Sequence, residues 1–299
     1  MVKVKEKKYG SQIVRDRRLG LLLMIPIVIV IFIVMGFPFL RALYWSFTDK
    51  VIGSDAHFIG LKNYIKLFSD KIYWKSLKNT VVYTVGCITA KLLIGLLWAV
   101  VLNQSFKGKS FFRTALLIPW ALPGMVAAMT WRWMYDSTYG IINSLLLNLG
   151  VIDLPIAWLS NTKIVLFSAM TVNIWRGIPF FMFSILGELQ TLDKQVYEAA
   201  TVDGAGIFKQ FRYITMPSIS NVLKVTTLLS TIWTFNDFEN VWLVTGGGPL
   251  YASSVISTYT YDMAFIQNSF GRALSVASSV IPVLLVMLII FTKFTKNEE

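Results

Sequence analysis

Residues 19–40 form an unbroken run of 22 residues without a charged side chain, LGLLLMIPIVIVIFIVMGFPFL. Wound as a helix at about 1.5 Å per residue, the run is roughly 33 Å long, enough to cross a hydrocarbon core of about 30 Å. It is longer than the apolar core of a cleaved signal peptide, roughly 7–15 residues, so it reads as a retained membrane span. Pro26, Gly36 and Pro38 are expected to kink it or close its ends.

Five further apolar runs follow, at 79–102, 114–131, 164–187, 225–244 and 273–292. The expected fold is therefore all-α, a polytopic membrane protein with six transmembrane helices. Only 15% of residues are charged and 55% are hydrophobic, against about 25% charged in a soluble domain. Pro119 and Pro123 imply a break in the third run. Irregular backbone at membrane depth is tolerated only under cover of protein or beside a cavity. Ser275, Ala277, Ser278 and Ser279 give the sixth run small residues for close helix packing.

The net charge of +12 does not point to nucleic acid, because the Lys and Arg lie between apolar runs instead of on one soluble face. Residues 1–18 form a basic tail suited to anionic lipid. Fifteen Lys and Arg fall on the side of this tail, ten on the other side, and Lys91, Arg176 and Lys224 in or beside the spans. The bias places both termini in the cytoplasm. Segments 41–78, 132–163 and 250–272 are then outer loops, the second with a short helix over 141–149. The single cysteine, Cys87, reads as a buried hydrophobe, and the single histidine, His57, has no cluster around it, so no metal site is expected.

One polar stretch stands apart in the C-terminal half: residues 198–217, EAATVDGAGIFKQFRYITMP. Glu198, Ala199 and Ala200 favour helix. Asp203-Gly204 breaks it, since glycine takes positive φ without steric cost. A second helix after Gly206 would align Phe208, Phe211 and Ile214 on one stripe, and Pro217 would close the unit.

The spans on either side carry polar stripes. Asn173, Gly177 and Phe180 fall at i, i+4, i+7 of the fourth; Ser230, Trp233, Thr234 and Asp237 fall at i, i+3, i+4, i+7 of the fifth. Mixed hydroxyl, amide and aromatic groups suit a sugar. The same stripes would also serve as polar glue between helices. Lys91, Arg176 and Lys224 are expected to snorkel to headgroups or pair with a carboxylate.

The EAA…DGA…F…I…P pattern resembles the EAA loop in permease subunits of binding-protein-dependent ABC importers. Phe112-Arg113-Thr114, Leu117-Ile118-Pro119-Trp120, Leu122-Pro123 and Leu243-Val244-Thr245-Gly246-Gly247-Gly248-Pro249 extend the similarity over nearly the whole chain after its tail. Together they resemble the carbohydrate-uptake branch, of the maltose and glycerol-3-phosphate type; Met216 stands where Leu is usual, a volume-conserving change.

The resemblance implies a permease domain over 19–299. Its cytoplasmic coupling loop, 188–217, would seat Glu198, Ala199, Ala200, Asp203 and Gly204 on a separate ATPase. The helices flanking that loop would line the pathway of a carbohydrate, foremost an oligosaccharide. Implied partners are a second permease subunit, two ATP-binding subunits and an extracytoplasmic solute-binding protein near loop 41–78. The short C-terminus and the Leu-Thr-Gly-Gly-Gly-Pro word resemble the first of two unlike subunits. ATP and Mg belong to the partner, because the chain has no Gly-x-x-x-x-Gly-Lys-Ser/Thr loop. An anionic solute such as glycerol-3-phosphate is the alternative cargo, with Arg176 then foremost. A secondary carrier would need internal repeats, and none is evident. A membrane enzyme would need a catalytic constellation, and the chain shows none.

Overall fold

The computed structural model describes residues 19–296. The basic tail at 1–18 lies outside the described residues. Among those described the fold is helical without strands; Thr48 and Phe58 form one isolated antiparallel bridge.

Helix α1, Leu19–Trp45, is the run from which the fold was anticipated, and its membrane-length stretch buries nothing against the rest of the chain. Its end is anchored where Trp45 packs edge-on to Phe270 at 6.0 Å. Asn63, on α2 (Lys62–Phe68), donates to the carbonyls of Ser46 and Thr48 at 2.9 and 2.7 Å.

Helix α3, Lys71–Asn103, begins eight residues before the apolar run because Asp70 caps it, accepting the Ile72 N–H at 2.8 Å. At 33 residues it is longer than a bilayer core requires. Helices α4 (Lys109–Ala121) and α5 (Gly124–Met134) meet at 95°, with Leu122-Pro123 between them in extended conformation, so the expected break is present. Helix α6 (Ile141–Asn148) lies in the following loop, and α7 (Val165–Leu189) returns beside α3.

The α3–α7 contact forms the axis of the bundle. Leu102, Ala99, Phe181, Met182 and Ile185 are buried together there. Gly95 sets the spacing: a Cβ on it would lie 2.5 Å from the Phe181 Cβ and 3.1 Å from the Met182 backbone nitrogen.

Two π-turns precede prolines. Phe32–Gly36 lies before Pro38 inside α1, and Phe211–Thr215 lies before Pro217. The wider turn accommodates the ring and the missing N–H, so the helix passes through instead of ending. Pro217 therefore does not close the polar stretch. After α8 (Lys194–Val202), α9 (Ile207–Gln210) continues through the π-turn into α10 (Met216–Phe235).

Helix α10 also corrects the fifth run. It starts upstream of residue 225 and stops at Phe235, and α11 (Glu239–Thr245) restarts after a break at 236–238. The Asp237 carboxylate accepts the Asn240 N–H at 3.2 Å, which favours leaving one helix and starting the next. Helix α12 (Ile256–Tyr261) follows, then α13 (Phe270–Ser279) and α14 (Ile281–Lys296), the last of the described helices.

Four helical stretches are long and apolar enough to cross a membrane: Leu19–Trp45, Lys71–Asn103, Val165–Leu189 and Phe270–Ile289. The bent pair α4–α5 makes a fifth if it is one span. The count of six is not reached on length and apolarity, because α10, although 20 residues long, carries a series of Ser and Thr hydroxyls together with Lys224.

Candidate functional site

Three contacts join α3, α7 and the end of α10. At the first, Asp237 Oδ2 accepts the Tyr83 hydroxyl and the Asn173 side-chain amide, each at 2.6 Å. Asn240 Nδ2 donates to the Tyr83 oxygen at 2.8 Å and to the Ala169 carbonyl at 3.0 Å. The Asn173 and Asn240 side-chain oxygens are buried without partners. At the second, the Lys91 ammonium donates to Thr234 Oγ1 at 3.0 Å and lies over Gly177, where a Cβ would fall 2.4 Å from its Cε. At the third, Phe180 and Trp233 pack with ring centroids 5.2 Å apart.

The residues of the two stripes thus pair across the helices: Asn173 with Asp237, Gly177 with Thr234 through Lys91, Phe180 with Trp233. The second stripe is not one helical face, however. Asp237 lies in the break beyond α10, and Trp233 is exposed while Ser230 and Thr234 are buried. In this conformation Asn173 bonds from α7 to Asp237 in the break, and Thr234 on α10 accepts from Lys91 on α3.

The sequence reading missed Tyr83 and Asn240 and misplaced Lys91. That lysine is only 4% exposed; it neither snorkels nor has a carboxylate within ion-pair distance among the described residues. A signal was available, since Tyr83, Cys87 and Lys91 recur every four residues on α3 and all are buried.

The second candidate site is the turn between α8 and α9. Asp193 caps α8, its Oδ1 accepting the Gln195 N–H at 2.9 Å. The helix ends through Asp203, and Gly204 turns the chain at φ +78° while the Ala205 N–H bonds to the Ala200 carbonyl at 2.8 Å. Gln210 Nε2 reaches back to Thr201 Oγ1 and the Ala205 carbonyl, both at 2.9 Å, and holds the two helices together. Glu198, Ala199, Asp203 and Gly204 are exposed and Ala200 half-buried. Around them Val202, Ile207 and Phe208 are 88%, 86% and 80% exposed. Behind the turn, a cleft of about 550 Å³ runs between Asn103 at the end of α3, Leu189 at the end of α7, and Tyr197, Glu198, Ile207 and Gln210.

Residues 91–297 match the family described as the binding-protein-dependent transport system inner membrane component. The trehalose/maltose transport system permease of Thermococcus litoralis is 32% identical over 269 residues, covering 89% of this chain and 90% of that one. A chain in the crystal structure of a bacterial ABC transporter that imports the acidic polysaccharide alginate superposes with a TM-score of 0.82 at 21% identity, covering 97% of this chain and 99% of that one. A chain in the crystal structure of a bacterial alginate ABC transporter in complex with alginate pentasaccharide-bound periplasmic protein gives a TM-score of 0.81 at 20% identity, covering 96% of each chain. A membrane-embedded fold, the matched family profile and a sugar permease at this identity lead to one conclusion: this chain belongs to the inner-membrane permeases of binding-protein-dependent ABC transport systems, in their sugar-uptake branch.

Proposed function

We propose that this chain is one half of the translocation pathway of an ATP-driven importer for an oligosaccharide. In this reading six segments cross the membrane, α10 with its short continuation α11 being the one that apolarity alone does not find. Both termini and the α8–α9 turn face the cytoplasm. Two ATPase subunits bind ATP and Mg, a second permease subunit closes the pathway, and an extracytoplasmic binding protein delivers the sugar.

The observation that carries the reading is the exposed apolar tip formed by Val202, Ile207 and Phe208 on a helix pair held together by Gln210. Apolar side chains this exposed on a braced helix pair are suited to a protein partner. The pair is continuous, through the π-turn, with α10, so displacement of the tip acts on the helix bearing Ser230, Trp233 and Thr234. Those three, with Asn173, Gly177, Phe180 and Asp237, are the proposed pathway residues. Alternating access would then require the α7–α10 contacts to part.

The test is a cross-link. A Phe208→Cys variant in a Cys87→Ser background is assembled with its partners, and a short bifunctional reagent is added with and without nucleotide. Cross-linking to the ATPase subunit is expected. An assembled, ATP-hydrolysing complex in which residue 208 reaches no ATPase in either state would sink the reading.

A further inference from the structure

The charge left over beside the α7–α10 contact bears on the class of cargo. Within the apolar runs the acids are Asp237 and Glu239 and the cations are Lys91 and Arg176, with Lys224 further along α10. Glu239 is exposed at the start of α11, with its carboxylate close to Gly124 of α5. Asp237 has both oxygens occupied, Oδ2 by Tyr83 and Asn173 and Oδ1 by the Asn240 N–H. Lys91 has only the neutral Thr234 hydroxyl. Arg176 has neither a hydrogen bond nor an ion pair among the described residues, and its Nε is buried without a partner. Arg176 lies on α7 three residues after Asn173 and one before Gly177, so it shares the helical face of that stripe.

Lys91 and Arg176 therefore have no carboxylate within ion-pair distance among the described residues. Charged side chains at membrane depth are costly and are retained facing a partner, a cavity or a permeating solute. A guanidinium offers a rigid fork of donors matched to carboxylate, sulfonate or phosphate. From this geometry we infer that the cargo is an acidic saccharide whose negative group is received by Arg176, with Lys91 behind it. The inference rests on the carbohydrate-permease reading and narrows it to a charge class.

The complete importer, in cells lacking other uptake systems, is given a mixture of short maltodextrins, cellodextrins, oligogalacturonates and oligomannuronates. Depletion is followed by mass spectrometry for wild type, Arg176→Gln and Arg176→Lys. Wild type is expected to deplete acidic members. Arg176→Gln should lower acidic uptake by about ten- to a hundredfold relative to any neutral uptake in the same cells, and Arg176→Lys should restore part of it. The within-cell ratio cancels differences in expression. Depletion of neutral members alone overturns the inference and leaves the permease reading standing. Equal losses of acidic and neutral uptake in Arg176→Gln also overturn it, because they mark a structural arginine. No depletion of any saccharide by a well-expressed importer removes the carbohydrate reading and this inference together.

Discussion

The Tyr83 hydroxyl donates to the Asp237 carboxylate over 2.6 Å, joining α3 to the break between α10 and α11. The same oxygen receives Asn173 from α7, so one carboxylate fastens three segments. Tyr83→Phe removes one donor from Asp237 and the acceptor that Asn240 uses. Hydrogen bonds to a charged group contribute about 1.5–3 kcal/mol, and the detergent-solubilised complex should lose stability in that range. Asp237→Ala should cost more, since it strands the buried Asn173 amide as well. Thermal unfolding followed by intrinsic fluorescence checks both; an unchanged midpoint for Asp237→Ala would show that the break is held by other contacts.

Two glycines on this axis should respond differently to the same change. An alanine Cβ at Gly95 meets the Phe181 Cβ at 2.5 Å and backbone at 3.1 Å, so two helices must separate. At Gly177 the Cβ meets the far end of the Lys91 side chain, which can shift. Gly95→Ala should destabilise by about 1–3 kcal/mol, the usual range for overpacking, and Gly177→Ala by less. Gly177→Ala should act on transport instead, because it displaces Lys91 from Thr234. Thermal midpoints together with uptake rates separate the two effects.

What could be read beforehand was local. The α8–α9 turn follows from Gly204, a residue suited to φ +78°, placed after a helix-forming Glu-Ala-Ala. The bend between α4 and α5 follows from Pro119 and Pro123. The break at 236–238 was hidden because Phe238, Val241 and Trp242 continue the apolar pattern across it. The continuity through Pro217 was hidden because a π-turn has no residue signature of its own. The environment of Lys91 was hidden for a third reason: its neighbours, Gly177 and Thr234, lie 86 and 143 positions away, and no periodicity along α3 reports them.

Gly204→Val should leave folding largely intact and impair coupling. A β-branched residue at φ +78° is strained by about 1–2 kcal/mol, and the turn can relieve this by opening at the exposed tip. The apolar tip would then be presented at a different angle. In proteoliposomes the expected result is reduced uptake with ATP hydrolysis no longer stimulated by the loaded binding protein. Full stimulation in the valine variant would separate this turn from the ATPase cycle.

A second carboxylate–tyrosine contact lies outside the spans and is sensitive to pH. Asp70, which caps α3, also accepts the Tyr259 hydroxyl of α12 at 2.5 Å, and Arg272 lies 3.8 Å from the same oxygen. Burial pushes the Tyr259 hydroxyl above its ordinary value of 10.0, and the bond to Asp70 pushes it the same way, with Arg272 opposing. The folded chain therefore holds this proton more tightly than the unfolded chain does. The sign follows directly: the stabilisation is complete below pH 10.0 and is lost as pH rises toward the higher folded-state value. Tyr259→Phe removes the bond, so it should be less stable than wild type at neutral pH by about 1.5–3 kcal/mol. It also removes the proton linkage, so the gap between the two proteins should close as pH rises past 10.0. Lysines titrate equally in both, and comparing the two thermal midpoints across pH 8 to about 11 isolates the tyrosine. A gap that stays constant over that window would mean that Tyr259 keeps no tighter hold on its proton in the fold than in the open chain.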